Sequence, residues 1–235
     1  SGQATFTVTS NAAGTSILTA LVNGSIPVPA SATLTVKQVS ATNSTITITP
    51  PHVFIGNSRT VTVTVRDLSN APLQGASVTL TSDRIGDTIT PIGVPISDVN
   101  GIVQFNVSSP NPGTATLTAV ANSVTITPSA TLLFTVISPT LSTITPSAAN
   151  LIKGTAVTVT ITVRDTANVA VPNAVVTLNS TPALPSGSTI LPATATADGT
   201  GTVSFTVTVA NTGTFTLSAT AQSGTNIQAL SPTVT

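Results

Sequence analysis

The chain repeats itself, and the spacing of the repeat limits what it can fold into. Gly2-Gln-Ala-Thr-Phe-Thr-Val, Gly101-Ile-Val-Gln-Phe-Asn-Val and Gly201-Thr-Val-Ser-Phe-Thr-Val align with Phe6, Phe105 and Phe205 in register. Gly14, Gly113 and Gly213 follow at matching places, and then Leu18-Thr-Ala, Leu117-Thr-Ala and Leu217-Ser-Ala. The period is about 100 residues, the size of one small domain. The front of the repeat occurs only twice, as Val61-Thr-Val-Thr-Val-Arg-Asp and Val159-Thr-Ile-Thr-Val-Arg-Asp. Each is followed by a turn and a further strand-like run, Ala76-Ser-Val-Thr-Leu-Thr and Ala174-Val-Val-Thr-Leu-Asn. The expected organisation is therefore 1–37 as the back half of a repeat, 38–137 as one complete repeat and 138–235 as another. The joints fall near Lys37–Asn43 and Ile137–Leu141.

Inside the repeat the side chains alternate. Val157, Val159, Ile161 and Val163 fall on one face, and Thr158, Thr160 and Thr162 on the other. Val203, Phe205, Val207 and Val209 do the same against Ser204, Thr206 and Thr208. A period of two with one apolar face describes a half-buried strand. Asn23-Gly24, Asn100-Gly101 and Asp198-Gly199 are expected to supply the positive φ angles of tight hairpins. Pro50-Pro51, Pro72, Pro139 and Pro172 belong to turns and joints, where a missing amide donor costs least. Short strands at this spacing, with no helical period, predict an all-β fold of tandem immunoglobulin-like β-sandwich domains arranged end to end.

Composition narrows the function. Hydrophobic residues make up 40% and charged residues 5%, with a net charge of zero and no glutamate. Ordinary soluble domains carry about 25% charged residues. The aliphatic content argues against disorder, and no apolar run approaches the ~18 residues of a membrane helix. No basic stripe and no interleaved aromatic residues exist for a nucleic acid to bind. There is no signal-peptide pattern, so the numbering is expected to start in a mature chain or a fragment. With no cysteine, no disulfide can form.

The run Val65-Arg-Asp-Leu-Ser-Asn-Ala-Pro-Leu-Gln-Gly-Ala-Ser-Val-Thr-Leu resembles the bacterial Ig-like repeats of the invasin and intimin type. Val163-Arg-Asp-Thr-Ala-Asn-Val-Ala-Val-Pro-Asn-Ala-Val-Val-Thr-Leu matches in the next copy. Asp98-Val-Asn-Gly-Ile-Val-Gln-Phe and Gly113-Thr-Ala-Thr-Leu-Thr-Ala resemble the back half of that repeat. The resemblance implies rigid stalks or filaments at the cell surface and, together with the Thr- and Ser-rich composition, an extracellular location.

Chemistry has little to stand on. His52 is the single histidine, and no serine sits in a nucleophile-elbow context, so no catalytic residue, cofactor or small-molecule substrate is expected. Arg66-Asp67 and Arg164-Asp165 are the charged pairs that recur. Asp67 and Asp165 are expected to close the turns after their strands by accepting backbone amides. One carboxylate per repeat is too few for calcium, which takes 6–8 oxygens. Asp98 and Asp198 are expected in hairpin turns beside Asn100-Gly101 and Gly199. Lys37 and Lys153 occupy non-equivalent positions, which argues against a Lys–Asn isopeptide crosslink. Asn23, Asn43, Asn106 and Asn179 stand in glycan-acceptor triplets, a weak signal in a chain this rich in Ser and Thr.

Two functions remain. One is a structural stalk or filament body whose partners are neighbouring repeats or subunits of the same protein. The other is an adhesin segment that binds a receptor or glycan. Binding surfaces favour Trp, Tyr and Arg. The absence of Trp and Tyr, with only four Arg, favours the structural reading. Finally, Phe6, Val8, Leu18, Ala20, Leu34 and Val36 are expected on one apolar face of a three-stranded half repeat, a face to be covered either by upstream sequence of a longer array or by strands of a neighbouring subunit.

Overall fold

The computed structural model describes residues 3–10 and 12–230; Gly2 of the first alignment lies outside them. Every regular element among them is a strand. The first copy of the repeat contributes β1 (Gly14–Val22) and β2 (Ile26–Val36). The second contributes β3 (Thr45–Ile48), β4 (His52–Phe54), β5 (Ser58–Thr64), β6 (Val78–Ser82) and β7 (Thr88–Pro91). It continues with β8 (Ile102–Ser108), β9 (Gly113–Ala121), β10 (Val124–Thr125) and β11 (Ala130–Thr135). The third contributes β12 (Thr143–Pro146), β13 (Ala156–Thr162), β14 (Val175–Thr181) and β15 (Thr189–Leu191). Its remaining strands are β16 (Thr194–Thr196), β17 (Thr202–Thr208), β18 (Thr216–Ser223) and β19 (Asn226–Ala229).

The chain divides into two compact units. One holds Ser1–Pro51, Arg59–Val107 and Ala115–Leu132; the other holds His52–Ser58, Ser108–Thr114 and Leu133–Thr235. In the second copy one sheet runs β3-β5-β8-β7 and the other β10-β9-β11-β4, with β6 also on β9. In the third copy the sheets run β12-β13-β17-β15 and β16-β14-β18-β19. The same antiparallel registers recur: Val78 lies opposite Ala121 as Val176 lies opposite Ala221, and Leu80 opposite Ala119 as Leu178 opposite Ala219.

The alternation in the sequence is what fills the cores. Val157, Val159 and Ile161 of β13 and Val203, Phe205 and Val207 of β17 form one buried cluster with Val176, Leu178, Ala219 and Ala221 of the facing sheet. Val61, Val63, Val103, Phe105, Val107, Leu117 and Phe134 are buried in the second copy. Small alanines on β9 and β18 are buried in the same cores as the bulky valines and phenylalanines, as two packed pleated faces require. The Thr faces point outward. The result is an all-β, immunoglobulin-like sandwich architecture.

The first copy departs from expectation. Three strands were expected, and only β1 and β2 form, an antiparallel hairpin whose register slips between Thr19 and Leu21. Residues 3–10, around Phe6, carry no strand. The physical reason lies in the complete copies, where β8 is held between β5 and β7 and β17 between β13 and β15. Those partners hold Phe105 and Phe205 in their sandwiches, and among the described residues no strand pairs with the run around Phe6. Phe6 is 80% exposed where Phe105 is 3% and Phe205 1% exposed.

Candidate functional site

The recurring aspartates sit at the corners where strands turn. After β5 and β13 the chain bends through an aspartate. Asp67 Oδ1 accepts the Ser69 amide at 3.0 Å, the Ser69 hydroxyl at 2.6 Å and the Ala71 amide at 3.0 Å. Asp165 Oδ1 accepts the Ala167 and Val169 amides at 2.9 and 2.8 Å. Both carboxylates are buried. Each takes amide hydrogens that the bend would leave without acceptors, which is what a short anionic side chain does best at a corner. The neighbouring arginines cap the same loops: Arg66 Nη1 donates to Asn70 O at 2.9 Å and Arg164 Nη1 to Asn168 O at 3.2 Å. Asn70 and Asn168 take positive φ angles of 65° and 61°, a conformation that asparagine tolerates better than most residues.

Two features of this corner were not visible in the sequence. Lys37 Nζ lies 3.0 Å from Asp67 Oδ2; the third copy has no lysine in that place. The Ser69 hydroxyl first, then the Lys37 ammonium and the Ala71 amide, hold the Asp67 carboxyl well below the usual carboxylate range. Serines at the joints also bind each corner. Ser44 Oγ accepts the Arg66 amide at 2.9 Å and Ser142 Oγ the Arg164 amide at 3.0 Å. Ser40 and Ser138 donate their amides to the Arg66 and Arg164 carbonyls at 2.8 Å. The recurring pairs Ser40…Ser44 and Ser138…Ser142 were the available signal.

The second aspartate pair closes the loops before β8 and β17. Asp98 Oδ1 accepts the Asn100 and Ile102 amides at 2.8 and 2.9 Å. Asp198 Oδ1 accepts the Thr200 amide at 2.8 Å, the Thr200 hydroxyl at 2.7 Å and the Thr202 amide at 3.0 Å. The Thr200 hydroxyl is the main reason that the Asp198 carboxyl titrates below its ordinary range, with the Thr202 and Thr200 amides adding to it. Here the expected turn chemistry needs correction. The positive φ angles lie at Gly101 (77°) and Gly201 (76°), and neither Asn100 nor Gly199 has one. A type I′ hairpin needs two such residues in succession. These loops are instead closed by the aspartate side chain, and the glycine is required because the backbone just past β5 or β13, at Val65 or Val163, lies close by. A Cβ on Gly201 would lie 2.6 Å from the Val163 carbonyl oxygen, and one on Gly101 would collide with that of Val65. Asn23 and Gly24 do take successive positive φ angles, 50° and 73°, between β1 and β2.

The glycan-acceptor asparagines differ in access. Asn23 is exposed in its turn, and Asn179 is exposed on the outer face of β14. Asn43 is half-buried, its Nδ2 donating to Asp67 O at 3.1 Å. Asn106 is half-buried on β8 and accepts from Thr60 at 3.3 Å. His52 lies on β4. Among the described residues no three of His, Cys, Asp and Glu converge as metal ligands. No helix of the described residues is long and apolar enough to cross a membrane.

Residues 56–135 match the family of bacterial Ig-like domains, group 1. No curated protein sequence matches the chain. Among solved structures, the Yersinia pseudotuberculosis adhesin InvE is similar at 24% identity over 83% of this chain and 59% of that one, with a TM-score of 0.37. The Escherichia coli adhesin FdeC is similar at 20% identity over 93% of this chain and 73% of that one, with a TM-score of 0.44. Invasin, a bacterial integrin-binding protein, is similar at 20% identity over 93% of this chain and 44% of that one, with a TM-score of 0.42. The chain thus spans less than two thirds of the length of the InvE and invasin structures.

Proposed function

We propose, for a chain that carries a bacterial Ig-like domain of group 1 at residues 56–135, that it is a structural repeat module of an extracellular surface protein. In this reading its parts, 1–37, 38–137 and 138–235, stack end to end as a rigid stalk or the body of a filament. It works without catalysis or cofactor, and its partners are neighbouring repeats. One observation carries this: the carboxylates that recur between copies, at Asp67, Asp165, Asp98 and Asp198, are occupied in closing turns. Repeated charge in a binding or catalytic module would converge on a shared surface; here it holds each sandwich to its shape. In repeat proteins of this kind each unit contacts mainly its neighbours, and length is the product.

The test is retention. Beads coated with the whole chain are passed over epithelial-cell and glycan-coated surfaces beside beads coated with an unrelated sandwich domain. Equal retention is expected. Specific retention that free chain competes away would replace the stalk with an adhesin segment. Should glycans be attached, Asn23 and Asn179 are the accessible acceptors, and mass spectrometry of the native protein would find modified peptides there rather than at Asn43 or Asn106.

A further inference from the structure

The second copy holds one pair of strands whose direction differs from that of their neighbours. β3 and β5, β6 and β9, and β9 and β10 run antiparallel. β4 and β11 run parallel, with Leu133 opposite His52, Phe134 opposite Val53 and Thr135 opposite Phe54. In chain order β4 is the first strand of that sheet and β11 the last. The pair is fastened at its far end by the Ile55 amide, which donates to Thr135 O at 2.9 Å. Val53 of β4 and Leu132 and Phe134 of β11 are buried, so neither strand can leave without carrying core side chains into water. Little free chain follows β11. One residue, Val136, separates Thr135 from Ile137, and Ile137 already bridges to Asp165.

Direction decides how such a pair meets a pull along the chain. Between antiparallel strands, the start of one lies beside the end of the other. Drawing those two points apart opens the ladder one bond at a time. Between parallel strands, the start of the first and the end of the last lie at opposite ends of the pair. Drawing them apart slides one strand along the other, and the evenly spaced bonds are strained together.

We propose that the β4–β11 pair is a tension clamp, and that the second copy carries load along the chain. A pull at the front reaches β4 through β3, and a pull at the back reaches β11 through Val136. The two act on opposite ends of the pair, and the core stays covered until the whole pair gives. This property of residues 38–137 goes beyond the stalk reading and holds equally for an adhesin segment. Ile55 offers a way to cut one rung alone. Gly56 has a φ of 80°, and the Asn57 amide donates to Phe54 O at 3.1 Å. Ile55 is thus the second residue of a type II turn, a position that suits proline. Ile55→Pro removes the amide that binds Thr135 and keeps the turn.

Whole single chains held at constant force test it. The sequence has no cysteine, so handles attach only where one is placed. Pro51, Ser129 and Thr140 are exposed. Pro51→Cys with Thr140→Cys pulls the start of β4 against the end of β11. Pro51→Cys with Ser129→Cys pulls the same start against the start of β11 and peels the pair. At equal force the first arrangement should outlive the second by roughly tenfold or more, because several bonds rather than one must give at once. Ile55→Pro should shorten the first lifetime roughly fivefold, the worth of one hydrogen bond. It should leave the second unchanged, since there that rung breaks last. Equal lifetimes in the two directions overturn the clamp, and that comparison needs no change within the pair. Equal shortening by Ile55→Pro in both directions overturns it too, because the lost amide then acts on general stability. Neither failure touches the bead-retention test of the stalk reading.

Discussion

At the scale of single residues, the chain spends its rare special residues on backbone geometry. Gly101 and Gly201 combine a left-handed φ with a carbonyl in the place of a Cβ, while Gly154 has the φ (81°) and open space around it. The left-handed region costs a residue with a Cβ about 1–2 kcal/mol. Gly154→Ala should therefore lose about that much stability, and Gly201→Ala about 3 kcal/mol or more, because the strand beneath must also shift. Thermal melts of the two variants beside the parent measure the gap; equal losses would mean that the crossing strand gives way freely. The phenylalanines offer a paired control. Phe205→Ala should cost about 3–5 kcal/mol. Phe6→Ala, at the equivalent place in the first copy, should leave the melt within about 0.5 kcal/mol of the parent, since Phe6 is exposed. The aspartates at the corners stood out because they recur and follow a valine strand. Their partners did not, because Lys37 is unique to one copy and a serine among so many serines carries no individual signal.

At the scale of elements, strands could be placed wherever valine and threonine alternate, because burial on one face and water on the other dictate the period. What alternation cannot show is whether a strand has neighbours. Ala4-Thr-Phe-Thr-Val8 alternates as well as Val203–Thr208 does, yet forms no strand, and β1 keeps the pattern of β9 with none of its burial. Hydrogen exchange makes the difference measurable. Amides of Leu117–Ala121, paired with β6 on one side, should exchange only on opening of the sandwich. Amides of Leu18–Val22 should exchange orders of magnitude faster in dilute protein, where the hairpin stands alone. Comparable protection of the two segments at low concentration would show that β1 has a partner within its own chain. The turn types were the least legible part. Asn-Gly and Asp-Gly pairs look alike in a sequence, but only Asn23-Gly24 joins adjacent strands tightly enough to take both positive angles. The loops before β8 and β17 must cross under another strand, and an aspartate closes them.

At the scale of the whole molecule, the scarcity of charge first suggests a protein indifferent to pH, with melting temperature level from strongly acidic to neutral conditions. The hydrogen bonds change that expectation. Three of the six carboxylates, Asp67, Asp83 and Asp198, titrate below their ordinary range in the folded chain. For Asp83 the main cause is the Thr116 amide, which donates to Oδ1 at 2.7 Å. A carboxylate whose pKa is lower folded than unfolded binds more protons in the unfolded state. Its contribution is therefore complete above the unfolded value of about 3.9 and fades as pH falls through the folded value. Melting temperature should be level from about pH 5 to neutrality and should fall below about pH 4, with no rise on further acidification. The fall should be shallower in Asp67→Asn. That change keeps an acceptor oxygen at the Oδ1 position for Ser69 and Ala71 and removes the charge that faces Lys37, so the variant has one proton fewer to gain on unfolding. Added salt should narrow the difference between the two proteins near neutral pH, because Lys37 is 45% exposed and its pairing is screened. Melts at pH 2.5, 4 and 6 in low and high salt measure all of this. Identical midpoints at pH 2.5 and 6 would mean that the aspartate-closed corners are retained in the unfolded chain or contribute nothing to folding, and the scarcity of charge would then stand as the sole determinant of acid behaviour.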